Sequence, residues 1–331
     1  MATLKDIAQK TNTSITTVSR VLNYDKTLSV SDEIRRKIIE TAAELNYRTP
    51  RNRTKIATRK KLRIGIVLWY DMQEEMDDPY YMQIRRGIEK LAVKSRIETS
   101  LIYKMDDRYK LSDLGRVDGL ILVGKFSPDQ IRQFHKLTPH LVFVDSSPDE
   151  TLYDSIVIDF HAAVKDVLQT LLQEGYSKIG YLGGVEYISK HIKLGERREL
   201  VFRDFLFQRN KLNTKYIHVG TFTIESGYEL MKQALSKSDR AEVYFCANDS
   251  IAFGALRAIH EHNLSIPDDI ALIGFNDNPN SEFTYPPLST VRVHTEFMGE
   301  QALLSVCERI DGRNVSIKKI IPTILVKRDS F

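Results

Sequence analysis

Apolar residues at the start of the chain recur at helical spacing. Leu4, Ile7 and Ala8 stand at i, i+3 and i+4, and Val18, Val21 and Leu22 repeat those offsets. This predicts two short helices sharing one small core. Between them Asn12 sits where a sharp helix-to-helix turn needs positive φ, which Asn tolerates better than most residues. Ser14 is placed to N-cap the second helix. A third helix is predicted behind Ser31, with Asp32 and Glu33 in its first turn and Ile34, Ile38, Ala42 and Leu45 as its apolar stripe. With Val18 and Leu22 turned inward, Ile15, Thr16, Ser19 and Arg20 point outward, where a recognition helix offers side chains to base edges. Any small helical bundle shows such offsets, so periodicity alone leaves both readings open.

After Leu62 the pattern changes to short apolar runs separated by amphipathic stretches. Strands are predicted at 64–68, 99–103, 119–123 and 141–144, with a helical stretch from Tyr80 to Val93. A second set runs helix His161–Glu174, strand Ile179–Leu182, helix Glu196–Gln208, strand Tyr216–Val219, helix Glu225–Leu235, strand Val243–Ala247, helix Asp249–His262 and strand Ile270–Phe275. The repetition predicts an α/β core of two doubly wound lobes with parallel sheets. A closing strand Thr290–Val293, helix Thr295–Ile310 and single strand Ile320–Val326 are placed to cross back between the lobes. The expected division is a headpiece over 1–47, a basic hinge over 48–61 and a core over 62–331, with lobe 1 at about 62–159 and 292–320 and lobe 2 at about 160–291 and 321–331.

Charge separates the readings left open by periodicity. Residues 1–63 hold fifteen Lys and Arg against six Asp and Glu, while the remaining 268 residues hold 33 against 38. From Arg48 to Arg63 eight basic residues stand with no acidic one. Such a density suits phosphate neutralisation, the alternative being a solvated linker. No apolar run reaches a membrane span and no leader-like segment opens the chain, so a cytoplasmic protein is expected. The two cysteines, Cys246 and Cys307, are expected to be buried thiols. Gly183-Gly184 do not make a dinucleotide fingerprint, Gly124-Lys125 lack the rest of a P-loop, and no G-x-S-x-G occurs. His260 and His262 point to different helix faces, so no metal is expected. Asp77-Asp78 and Asp106-Asp107 read as solvated turns. No cofactor is expected, and the chain is not expected to be an enzyme.

The chain resembles the LacI/GalR family of bacterial transcription repressors over essentially its whole length. The resemblance rests on Leu4 to Ala8; Ser14 with Thr17-Val18-Ser19-Arg20-Val21-Leu22-Asn23; and Ala43-Glu44-Leu45-Asn46-Tyr47. It continues through Ala247-Asn248-Asp249 with Ala252 and Gly254, Pro267 to Ile270, Gly274-Phe275-Asn276-Asp277 and Pro287 to Val291. It implies a three-helix helix-turn-helix headpiece and a two-lobed core similar to periplasmic sugar-binding proteins, with a small sugar effector between the lobes. It also implies a homodimer placing two recognition helices on double-stranded operator DNA.

Carried onto this chain, the resemblance makes Ile15 and Thr16 the main specificity positions and Arg20 a base-contacting arginine, able to donate twice to guanine. Thr3, Ser14, Thr17, Ser19 and Asn23 hold phosphates or the helix itself. The hinge departs from its relatives. Where they carry Pro-Asn and an Ala-Arg-x-Leu helix, this chain has Arg48-Thr49-Pro50-Arg51-Asn52-Arg53-Thr54-Lys55-Ile56. Ile56 then takes the minor-groove wedge position and Arg53 replaces the alanine, leaving a wedge helix or a basic arm with Arg51 and Arg53 along the groove.

For the effector, polar residues at strand C-termini are the candidates, because ligands of doubly wound folds collect there. They are Asn248, Asn276, Asp71 and Asp145, with Trp69 and Tyr70 offering aromatic faces to a sugar ring. Arg198 stands at the family's sugar-binding arginine. The plainer reading makes Asn248 and Asp249 a helix cap and Trp69 core. Galactose or a galactoside is favoured by the headpiece and hinge. The competing class is a sugar-binding protein or sugar-modifying enzyme with an incidental basic extension.

Overall fold

The computed structural model describes residues 3–22, 28, 30–44, 61–106, 108–189 and 192–331. The chain divides into two compact units, Met1–Lys61 and Leu62–Phe331.

In the first unit, α1 (Leu4–Thr11) and α2 (Ile15–Leu22) precede α3 (Asp32–Glu44). Thr3 and Asp6 form a capping box at the start of α1, and Asn12 ends that helix in the left-handed region at φ 53°. Ser14 accepts from the Thr17 amide at 3.0 Å, capping α2. Ile7, Ala8, Val18, Val21, Ile38 and Ala42 make the core. Ile34 is a correction: it is 38% exposed rather than part of the stripe. Each i to i+4 step turns about 40° around a helix, and from Ile38 the inward face of α3 runs on through Thr41 and Ala42, carrying Ile34 to the rim. Leu45 lies outside the described residues.

The second unit opens with β1 (Arg63–Leu68), α4 (Met72–Asp77), α5 (Tyr80–Ser95), β2 (Glu98–Ile102), β3 (Gly119–Val123), α6 (Pro128–His135), β4 (Leu141–Val144) and β5 (Asp154–Ile158). It continues as α7 (Phe160–Gln173), β6 (Ile179–Gly184), the hairpin β7 (Glu186–Ser189) and β8 (Ile192–Leu194), α8 (Arg197–Phe207) and β9 (Ile217–Gly220). Then come α9 (Ile224–Leu235), β10 (Val243–Cys246), α10 (Asp249–Glu261), β11 (Ala271–Asn276), β12 (Ser289–Arg292), α11 (Thr295–Ile310), β13 (Lys318–Ile321) and β14 (Ile324–Val326).

Two six-stranded sheets result, one per lobe, in the orders β13-β5-β4-β3-β1-β2 and β14-β12-β11-β10-β6-β9. Within these two sheets every pairing is parallel except β14 against β12. Central strands such as β3 and β4 are buried at every residue, the signature of parallel strands covered on both faces. The chain passes between lobes at Asp159, at Val293–His294 and at Pro322–Thr323. The single closing strand expected over 320–326 is therefore two strands in different sheets. Pro322 separates them, since it has no amide to continue a ladder.

Each lobe holds one pair of helices that touch backbone to backbone. In lobe 1, α5 and α11 meet at Gly87 and Gly299; in lobe 2, α9 and α10 meet at Gly227 and Gly254. A Cβ on Gly254 would overlap the Ile224 carbonyl oxygen, and one on Gly87 the Glu296 carbonyl oxygen. Cys246 is buried in β10, whereas Cys307 on α11 is half-buried, a correction to the expected pair of buried thiols. Among the described residues no helix is long and apolar enough to cross a membrane.

Candidate functional site

On the headpiece, Val18 and Val21 are sealed in the core, which turns the opposite face of α2 outward. Ile15 is 47% exposed, Thr16 is exposed, and Ser19 and Arg20 are half-buried. Thr3, Ser14 and Thr17 are committed locally. Thr3 donates to and accepts from Asp6, and the Ser14 and Thr17 hydroxyls lie 2.8 Å apart. These contacts fix the start of both helices. Asn23, Arg51, Arg53 and Ile56, with the hinge question attached to them, lie outside the described residues.

In the core, a cleft of about 540 Å³ opens between the lobes at the C-terminal ends of the strands. Trp69, Tyr70 and Asp71 follow β1 into its wall, with Asp78, Lys104 and Asp106 also from lobe 1 and Glu186, Tyr187 and Phe222 from lobe 2. Trp69 and Tyr70 lie with ring centroids 5.4 Å apart, and Tyr70 meets Tyr81 edge-on at 4.6 Å. Trp69 is both core and wall: it is 4% exposed yet lines the cleft, and its buried Nε1–H has no acceptor among the described residues. Asp71 caps α4, accepting from the Gln73 and Glu74 amides at 2.9 Å each.

Asp145 faces a second, smaller cavity of about 220 Å³ shared with Lys125 and Glu186. Its carboxylate accepts from the Tyr81 and Tyr80 hydroxyls at 2.8 and 3.2 Å. Burial, and then the Asp145 charge, push both tyrosines well above the usual phenol range. Lys125 bridges the lobes, 2.5 Å from Glu186 on the hairpin and 3.7 Å from Asp145, with its ammonium 5.1 Å from the Trp69 ring centroid.

Asn248, Asn276 and Arg198 are not on the wall of either cavity. Asn248 is fully buried: its Oδ1 caps α10 by accepting from Ile251, and its Nδ2 donates across the lobe junction to Asp78 at 3.0 Å. Ser250 makes a second crossing to the Asp77 carbonyl at 2.9 Å. The cap residue is thus Asn248, and Asp249 lies one position inside the helix. Asp78 corrects the expectation of a solvated turn. It is 8% exposed, and burial raises its carboxyl above the usual range against the Asn248 hydrogen bond. Asn276, at φ 108°, ends β11 in a tight crevice beside Tyr80 and Asp249.

Arg198 is packed among Phe160, Phe222 and Phe275, with ring centroids 5.3 to 5.5 Å from its guanidinium carbon. It donates to Glu196 Oε1 at 2.6 Å and to the Ala247 carbonyl. Burial works against its charge, and the Glu196 carboxylate more than offsets that, so the guanidinium stays ionised. In turn, burial acts to raise Glu196, and Arg198 together with the Tyr181 hydroxyl holds it below the ordinary value.

Asp249 supplies a pH dependence. Fully desolvated, its carboxyl is pushed up to about 7 despite hydrogen bonds from the Thr290 hydroxyl and the Asn278 amide, both at 2.6 Å. An unfolded Asp titrates near about 3.9. The folded state therefore takes up a proton that the unfolded state does not, and this contribution to stability grows as pH falls from about 7 towards 4 and is lost as pH rises through 7. Denaturant titrations across that window are expected to show a flatter stability slope for Asp249→Asn than for the unmodified chain. Identical slopes would show that Asp249 does not titrate there.

Several of these residues escape the sequence pattern, yet the strand-end rule reaches most of them. Lys104 and Asp106 follow β2, Lys125 follows β3, and Phe222 follows β9. Glu186 and Tyr187 lie on a hairpin that has no clear apolar signal.

Comparison with known proteins decides the family. The bacterial regulatory protein family named for lacI matches residues 3–50, and a periplasmic binding protein-like domain matches residues 168–331. The chain is 34% identical to the HTH-type transcriptional repressor MelR of Bacillus subtilis (strain 168), over 100% of this chain and 97% of that protein. This chain belongs to the lacI family of bacterial regulatory proteins. The regulator is also 38% identical to the HTH-type transcriptional regulator GalR of Streptococcus thermophilus, over 92% of this chain and 91% of that one. A solved lac repressor dimer bound to operator and the anti-inducer ONPF shares its fold, with a TM-score of 0.69 at 24% identity over 99% of this chain and 98% of that one. The regulator is a DNA-binding transcription factor with a helix-turn-helix headpiece, and its family is not one of enzymes.

Proposed function

We propose that this regulator is a cytoplasmic repressor that binds, as a homodimer, a roughly two-fold symmetric operator and leaves it when a small sugar enters the cleft between its lobes. The observation that carries the reading is the cleft itself. A ligand there touches Trp69, Tyr70 and Asp71 of lobe 1 and Glu186 and Phe222 of lobe 2 at once, so it has different contacts in open and closed cores. Aromatic faces beside carboxylates suit a saccharide, which is apolar on its ring faces and donates from its hydroxyls. The volume exceeds what one hexose ring fills and lies in the ordinary range of ligand pockets. Galactose or a galactoside is the specific candidate, on the headpiece and hinge resemblance.

On the DNA side, Ile15 and Thr16 read base edges by contact, Arg20 donates to a base, and Thr3, Ser14, Thr17, Ser19 and Asn23 anchor phosphates. Arg51, Arg53 and Ile56 are assigned to the minor groove. In the cleft, Trp69, Tyr70 and Asp71 touch the sugar directly, while Asp145, Arg198, Asn248 and Asn276 hold the walls in place.

The test is reciprocal binding. Anisotropy of labelled upstream DNA against the full chain is expected to show operator affinity falling about 5- to 150-fold when the sugar saturates. Calorimetry of the sugar with and without saturating operator is expected to show the same factor. A sugar affinity that ignores operator would overturn release by sugar.

A further inference from the structure

Resting on the reading of the interlobe cleft as the effector site, we propose that the cleft selects by charge: it accepts uncharged saccharides and rejects their phosphate esters and other anions. Among the described residues its wall carries the carboxylates of Asp71, Glu74, Asp77, Asp78, Asp106 and Glu186 against one lining cation, Lys104. Leaving Asp78 out of the sum, the balance stays negative.

Three nearby cations among the described residues are already paired. Lys104 is 3.2 Å from Glu74, Lys125 is 2.5 Å from Glu186, and Arg198 is 2.6 Å from Glu196. An incoming phosphate would have to displace a carboxylate from one of these pairs while entering a field of the wrong sign, and partly buried charges are screened little by salt. Relatively uncharged hydroxyls meet the opposite situation, since carboxylates are strong acceptors. Trp69, which lines this wall, is a second, independent feature: its ring offers a stacking face, and its Nε1–H, buried and without an acceptor among the described residues, is matched by a hydroxyl or ring oxygen. Sign of charge therefore separates a transported free sugar from a sugar phosphorylated during uptake.

The experiment is calorimetry on the full chain with three matched pairs: galactose and galactose 6-phosphate, glucose and glucose 6-phosphate, lactose and its galactosyl 6-phosphate. The expected result is that a neutral member binds and its ester is at least tenfold weaker. That gap should narrow in Asp106→Asn, a substitution that keeps the left-handed turn at φ 46° and lies on an exposed residue. An ester that binds as tightly as its neutral partner, or tighter, overturns charge selection and leaves the sugar-effector reading intact. If neither member of any pair binds, the sugar-effector reading fails and this inference fails with it. An unchanged gap in Asp106→Asn alongside a strong neutral preference would overturn the assignment of that preference to the acidic wall.

Discussion

Alanine at position 20 is expected to weaken operator binding by about 1 to 3 kcal/mol while changing affinity for random duplex far less. Arg20 sits on the outward part of α2, a helix held by Val18 and Val21 beneath and by the Ser14 cap in front, so truncating it leaves the headpiece core untouched. A guanidinium that donates twice to a guanine contributes discrimination, whereas one that meets only phosphate contributes affinity for every sequence alike. Competition binding against operator and scrambled DNA, at two salt concentrations, separates the two. Equal losses on both DNAs would make Arg20 a phosphate anchor.

Valine in place of Gly254 is expected to remove the core's stability by about 3 kcal/mol or more, at or above the usual upper end for an overpacked interior. The added Cβ would occupy the space of the Ile224 carbonyl oxygen, and the Tyr228 amide lies close on the same side. Neither is the flexible end of a side chain, so relief requires α9 and α10 to move apart and to open the layer beneath them. Gly195 is a control for the space around an added Cβ. An added Cβ there meets only the Leu200 methyl at 3.4 Å, and Gly195→Ala is expected to stay within about 0.5 kcal/mol. Urea denaturation of both variants checks the contrast, and comparable stabilities would show that the helix pair yields easily.

How far residues announce structure depended on what surrounds them. The headpiece was legible because its core is local: Leu4, Ile7 and Ala8 meet Val18 and Val21 within one short stretch of chain. Strands β1, β3 and β4 were legible because a sheet covered on both faces demands nearly unbroken apolar runs. By contrast, β5 begins Asp154-Ser155 and reads as polar. Asp154 is buried because Arg313 and Arg309 reach it from the segment around α11, more than 150 residues away in the chain, while the Ser155 hydroxyl lies 3.0 Å from that of Ser147. Asp78 was hidden for the same reason, its partner Asn248 being supplied by the other lobe. In the cleft, β1 placed Trp69, Tyr70 and Asp71 where the strand-end rule expects them, while the hairpin carrying Glu186 follows no apolar period at all.

Because the polypeptide runs between lobes at Asp159, Val293–His294 and Pro322–Thr323, neither half is a contiguous stretch of chain. Severing one of these three bridges leaves the halves joined by the other two, and expressing either half alone would require stitching together separate fragments. Triple tethering also favours hinging over sliding, so a metabolite's signal has few directions in which it can be spent.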